Sequence, residues 1–298
     1  HDALPIFHCL TKTMPVLERL YGVRFPDELI ARSCDFLIYQ TDAATGRIYD
    51  YGDAFETTTL FRQDGYLGFG NLAYLAGKYR DPHLMWYYKL NPGLTERDLI
   101  FLDETVEARP PDDLPRTKLF RDAGTAVFRS GFGADDFVFV FRCGAFFNHH
   151  HFDQGAFFLQ DRGVELLTES GRTDYYTDPW YRKLFIQAGG HNCVLVDENP
   201  ESQKVGDFLH DVPAWRDHAS ITDFISFDGG ACVSGRLDPL YKGKLSNLRR
   251  TVLFVEPRTI VLIDEASGAE DTRRINLLFH APERDDIAIA GNGAAVER

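Results

Sequence analysis

The run Asn148-His-His-His-Phe-Asp-Gln-Gly155 places His149, His151 and Asp153 at i, i+2 and i+4. Side chains alternate between faces along a β-strand, so this spacing predicts two imidazoles and a carboxylate on one surface. Glu169 and His191 follow closely in sequence. Such side chains are costly to bury unless they pair or bind a metal, which marks the segment as a place for chemistry.

Imidazoles and carboxylates suit Zn²⁺ or Fe²⁺. His151, Glu169 and His191 form one candidate set, at gaps of 18 and 22 residues that fit neighbouring strands of one sheet. His151, Asp153 and His191 form another, the two-histidine, one-carboxylate arrangement of non-haem Fe(II) oxygenases. Oxygenases using 2-oxoglutarate usually carry an Arg soon after the distal His. Neither Arg nor Lys lies between His191 and Lys204, which counts against that set. A blander alternative is a histidine run that is solvated or merely packed. The Glu-Ser-Gly and Gly-Gly-His-Asn elements downstream weigh against it.

His150, of opposite parity, is expected in the core or an interface. Asp153 is expected to orient a neighbouring ligand through a hydrogen bond. Tyr175, Tyr176, Trp180 and Tyr181 lie beside Arg172, Arg182 and Lys183. Aromatic faces with cations are what an acidic sugar requires, for stacking and for carboxylate pairing. An ordinary aromatic loop packed on a sheet is the competing reading.

Positioning these groups needs rigid elements. Apolar residues recur at helical spacing from Met14 to Tyr39, and Gly22 to Pro26 break the run into two helices with Asp27 placed to cap the second. A third helix is predicted over about Asp64 to Lys78, and a short fourth through Trp86 to Leu90. The proline-rich stretch from Glu107 to Pro115 is the best domain boundary. Beyond it the apolar period becomes two, with strands predicted at 125–132, 137–143, 155–160, 164–168, 192–196, 220–227, 232–235, 247–255, 259–263 and 276–280. Helices first and strands afterwards predict an α+β chain of separate domains, helical over 1–110 and an antiparallel β-sandwich over 111–298.

The 298 residues can bury a sizeable core, and 44% hydrophobic with 26% charged content suits a water-exposed globular chain. A formal net charge of −13 argues against non-specific nucleic-acid binding, while leaving room for a locally positive cleft. Five cysteines without a CxxC pair argue against a disulfide framework as the organising device. No apolar run approaches membrane-spanning length, and no signal peptide is evident at an N-terminus that also lacks Met.

Three segments together resemble the heparinase II/III-like polysaccharide lyases. They are Asn148-His-His-His-Phe-Asp-Gln-Gly-Ala-Phe157, Leu166-Leu-Thr-Glu-Ser-Gly-Arg-Thr-Asp-Tyr175 and His191-Asn-Cys-Val-Leu-Val-Asp197. They match the family's H-x-H-x-D-x-G-x-F run, its strand ending in D-x-G with a Tyr nearby, and its HN before a strand. Asp122–Arg129 and Arg249–Asp264 are similar to weaker flanking motifs, so the resemblance spans roughly residues 120 to 265.

The resemblance implies the C-terminal part of an incomplete α/α toroid followed by an antiparallel β-sandwich. It implies β-elimination on a uronic-acid-containing polysaccharide or oligosaccharide, with His149 catalytic and Tyr175, Tyr181 and Arg182 contacting substrate. A structural zinc would sit on His151, Glu169 and His191, with Glu169 standing where the family usually has Asp. Family members carry further upstream helices with a catalytic Tyr and Asn or His, so this chain is expected to be a fragment. An acidic sugar partner, a homodimer and a bacterial periplasmic or secreted location are further implications, with the cytoplasm left open. Neither nucleic acid nor a membrane is expected as a partner. Beside the lyase stand an oxygenase or metal hydrolase on a β-sandwich and a non-catalytic acidic-sugar-binding relative.

Overall fold

The computed structural model describes residues 13–24, 32, 34–46, 48, 52, 72–90, 101–146, 150–171, 177–203 and 218–282, with the backbone of 287–290 and 293–296. The chain divides into two compact units, His1–Ile48 with Thr57–Leu114, and Tyr49–Glu56 with Pro115–Arg298. In the first unit, residues 13–21, Asp35–Gln40, Leu72–Tyr79 and Pro82–Leu90 are helical. The last of these begins where local chemistry dictates. Asp81 Oδ1 accepts the His83 and Leu84 amides at 2.8 and 3.1 Å, and Pro82 fills the first helical position, where no amide hydrogen is needed. Asp27 and the expected start of the third helix lie outside the described residues.

The second unit is a sandwich. Strands β1 (Thr117–Phe120), β2 (Thr125–Arg129), β3 (Phe137–Arg142), β4 (Phe157–Asp161) and β5 (Val164–Leu167) form an antiparallel sheet in sequence order. After the short β6 (Val194–Val196) come β7 (Ser220–Phe227), β8 (Gly230–Arg236), β9 (Leu245–Val255) and β10 (Thr259–Gly268), ordered β10-β9-β8-β7 in a second antiparallel sheet. Strand β11 (Ile275–Leu277) pairs with β6, and β12 (Ile287–Ala290) with β13 (Gly293–Val296). Phe128, Phe139 and Phe157 from the first sheet share one core with Val233, Val252 and Phe254 from the second. The Phe254 ring stands 5.8 and 5.9 Å from those of Phe128 and Phe137. Burying aromatic rings between two sheets is the main favourable contribution to such a layer.

The α+β expectation therefore holds, with strands β1, β12 and β13 added to those anticipated. One local expectation is overturned. Residues 150–156 form no strand; they are a loop between β3 and β4. Its backbone turns on itself, Gly155 N–H donating to Arg142 O at 2.7 Å and Ala156 N–H to Asp153 O at 3.0 Å. Gly155 has φ +90°, and a Cβ there would lie 2.8 Å from Leu237 Cδ1. A glycine is thus required at this turn, and strand alternation does not govern His150 and His151 before it.

Candidate active site

The 150–156 loop is anchored from below by polar groups. Asp153, fully buried, accepts Arg142 Nη1 at 2.5 Å and Gln154 Nε2 at 2.9 Å. Gln154 Oε1 takes the Gly144 amide at 2.7 Å, and Gln203 bonds both the Gln154 amide and its carbonyl. Gln203 also donates to the Tyr241 hydroxyl at 3.0 Å, which donates to Val194 O at 2.8 Å. Buried polar groups connected in this way hold a unique conformation, because each alternative would leave some of them unpaired. Both carboxylate oxygens are thus engaged by Arg142 and Gln154, whereas the sequence reading has Asp153 orienting a neighbouring ligand. This disfavours the His151, Asp153, His191 set.

Glu169 lies just past β5, and His191 just past a 3-10 turn, Ala188–Gly190, that leads towards β6. The two segments touch because Gly190 has no side chain: a Cβ there would meet Ser170 Oγ at 2.5 Å and Leu184 O at 2.7 Å. The Ser170 amide then reaches Gly190 O at 3.1 Å. His191 Nδ1 and Glu169 Oε2 are hydrogen-bonded to each other. The His151 ring stands 5.3 Å from that of His191, and the edge-on ring of Tyr181 is 6.3 Å from His151.

His151, Glu169 and His191 are thus gathered in one buried cluster. They are not disposed around one point, since among the described residues no three His, Cys, Asp or Glu side chains form a group that could hold a metal ion. Glu169 Oε1 and His191 Nε2 are buried without a hydrogen-bond partner among the described residues. Burial pushes the Glu169 carboxyl well above its usual range, and Asp153 nearby adds to this. Burial likewise lowers the His191 imidazole to about 4. Both directions say that the cluster, as it stands, favours uncharged groups.

The other sequence candidates divide. His149 and Tyr175 lie outside the described residues. His150 stacks on Phe146 at 4.7 Å and meets Phe152 edge-on. Arg182 is exposed on the π-helical turn Tyr181–Phe185. Tyr181, expected to contact substrate, is only 2% exposed and packs against His151. The neighbouring Trp180, 62% exposed, is the ring that faces solvent, because one step along the turn rotates the side chain outward.

Two residues of the site escaped sequence reasoning. Asn192 is fully buried beside His191. Arg250, also buried, donates to Gly155 O at 2.6 Å and Asn192 O at 3.1 Å, tying both site loops to the second sheet. A signal for Arg250 existed. In β9 it shares parity with Leu248, Val252 and Phe254, so a cation stands in the core-facing row of an alternating strand.

The heparinase II/III-like C-terminal family model matches residues 112–296, which takes in both sheets and every residue of this cluster. The chain belongs to the heparinase II/III-like family. No curated protein sequence matches it. The structure is similar to that of a heparinase III, with a TM-score of 0.72 and 20% identity, covering 96% of this chain and 42% of that one. It is also similar to the heparan sulfate lyase HepC from Pedobacter heparinus, with a TM-score of 0.70 and 18% identity, covering 96% and 40%. The chain thus spans about two fifths of the length of these heparinase structures. Among the described residues no helix is long and apolar enough to cross a membrane.

Proposed function

We propose that this heparinase II/III-like chain serves β-elimination of a uronic-acid-containing polysaccharide or oligosaccharide. The observation that carries the reading is the buried meeting of His151, Glu169 and His191 within the family's H-x-H, acidic and HN segments. In this reaction a base removes the C5 proton next to the carboxylate, and an acid protonates the departing glycosidic oxygen. The C5 proton is poorly acidic while the carboxylate keeps its charge, so neutralising that charge lowers the barrier most. His149 is assigned to proton transfer or to this neutralisation, both within reach of an imidazole. Tyr175 and Arg182 are assigned to the sugar and its carboxylate. Tyr181 is assigned to backing His151, with Trp180 taking the solvent-facing place.

The donor types suit zinc, but as arranged here they do not form a group that could hold a metal ion. Two imidazoles and a carboxylate are an ordinary zinc set, and the unpartnered Glu169 Oε1 and His191 Nε2 are what a cation would complete. A structural zinc would need His151, Glu169 and His191 to close around it, and would then supply positive charge and cross-linking, leaving proton transfer to the side chains. The loop that carries His151 follows directly on His149, so fixing one steadies the other.

The test is incubation with heparan sulfate, alginate and other uronate polymers, following the ultraviolet absorbance of unsaturated uronate, with metal content measured in parallel. Unsaturated products that vanish in His149→Ala support the lyase. Saturated products, or undiminished elimination by His149→Ala, remove the mechanism. The exposed Trp180 ring beside the exposed Arg182 favours one second reading, an acidic-sugar-binding relative. It predicts binding of the same polymers without any product.

A further inference from the structure

We propose that Lys183 determines specificity: with Trp180 and Arg182 it forms a subsite for a sugar segment that carries a second anionic group beside the uronate. The inference rests on the uronate-polymer reading above and extends it to the charge pattern of the substrate.

The turn Tyr181–Phe185 is π-helical, and the Ile186 amide closes it by donating to Tyr181 O at 3.1 Å. Single wide turns of this kind are frequent at functional sites. Here the turn sends Tyr181 and Ile186 inward and leaves Trp180, Arg182 and Lys183 exposed. Both loops of the buried cluster hold it. The Phe152 amide, one residue past His151, donates to Ile186 O at 2.9 Å. On the other side Leu184 O lies against Gly190, where a Cβ would stand 2.7 Å from it, and His191 follows directly. Gln187 Nε2 fixes the turn's backbone by donating to Arg182 O at 2.9 Å. The exposed arc is therefore carried by the same segments that present His151 and His191.

Its charge is uncompensated. The chain is acidic, with a formal net charge of −13. In the sandwich Arg142, Arg236, Arg249, Arg250 and Arg258 each pair with an aspartate. Arg182 and Lys183 have no such partner among the described residues. Asp178, the acid nearest in sequence, is turned onto the backbone, its Oδ1 accepting the Trp180 amide at 2.8 Å. Two adjacent cations without a counter-charge repel each other, and a ligand with two anionic groups relieves both. The planar guanidinium of Arg182 matches the uronate carboxylate through two parallel hydrogen bonds. The ammonium of Lys183 is a compact charge on a flexible stem, suited to an anion whose position varies. That second anion is a sulfate ester, or the carboxylate of a neighbouring uronate. Trp180 adds a flat apolar face on which a sugar ring can lie.

The experiment measures binding of the full chain by calorimetry, as wild type, Lys183→Gln and Lys183→Arg, with folding checked by circular dichroism. The probes are heparan sulfate, the same polymer desulfated and re-N-acetylated, and alginate. The expected result is a wild-type preference for heparan sulfate or alginate over the desulfated polymer. In Lys183→Gln that preference should fall about 2–5-fold, as loss of an exposed ion pair allows, and Lys183→Arg should restore most of it. A preference for heparan sulfate identifies the second anion as sulfate, and one for alginate identifies it as a neighbouring carboxylate. A wild-type preference retained in Lys183→Gln overturns the proposal. So do equal losses on all three polymers, which mark a general charge effect, and a wild-type chain that binds none of them. Product formation is read separately. A Lys183-dependent preference without unsaturated product keeps the subsite and removes the lyase reading, and unsaturated product with a Lys183-independent preference does the reverse.

Discussion

Replacing Arg250 with Met removes a cation from the sandwich core while keeping its approximate length. Arg250 is 1% exposed. It binds Asp264 through Nε at 2.7 Å and Nη2 at 3.0 Å, and holds the Gly155 and Asn192 carbonyls through Nη1. Removing one partner of a buried ion pair costs about 3–5 kcal/mol, largely because the other charge is left behind. The Asp264 side chain, 11% exposed, can recover some hydration, which favours the lower end. The two carbonyls cannot, and an orphaned buried acceptor costs about 1–3 kcal/mol. These contributions share one side chain and do not simply add, so about 3–5 kcal/mol in total is expected. At roughly 2–4 °C per kcal/mol for a unit of this size, the melting temperature should fall by roughly 6–20 °C.

The assay is thermal unfolding followed by circular dichroism in the presence of chelator, so that metal binding does not contribute. Adding Asp264→Leu should regain part of the loss by removing the uncompensated carboxylate, but not the part owed to the carbonyls. The double variant must then fall between Arg250→Met and wild type. A shift below roughly 3 °C for Arg250→Met, or a double variant no better than the single, would refute a central role for this guanidinium.

Gly155→Ala should destabilise by about 1–3 kcal/mol, measured by urea unfolding, since it meets both the positive φ and Leu237 Cδ1. Trp180→Ala should leave the melting temperature almost unchanged while weakening retention on an immobilised uronate polymer; unchanged retention would exclude the exposed ring from substrate contact. The His191 pKa is lowered from 6.5 to about 4, so between those values the unfolded chain binds more protons than the folded one. In metal-free protein the contribution of His191 is therefore present above the unfolded value and lost as pH falls through this window. A pH series comparing wild type with His191→Gln should show the gap narrowing towards acid.

Much of the architecture was legible because it follows from local alternation. The rows of β9, with Leu248, Val252 and Phe254 on one face, announce a half-buried strand without any tertiary knowledge. Asp81-Pro82 marks a helix start by the same local logic. The histidine run misled in one respect. His151 and Asp153 share a two-residue spacing, yet Gly155 turns the backbone, and they reach their places through loop hydrogen bonds. Tyr181 and Trp180 look equivalent in sequence, and only packing against His151 separates the buried ring from the exposed one.

Residue types alone determined that this chain carries imidazoles and carboxylates worth gathering, on an antiparallel β scaffold that follows a helical region. Side-chain chemistry and strand periodicity are properties of neighbours along the chain. Which carboxylate meets His191 was a tertiary decision. Arg142 and Gln154 claim Asp153, Gly190 lets the Glu169 segment come close, and Asn192 and Arg250 hold it there. Those contacts join residues far apart in sequence, and their geometry exists only once two sheets have packed.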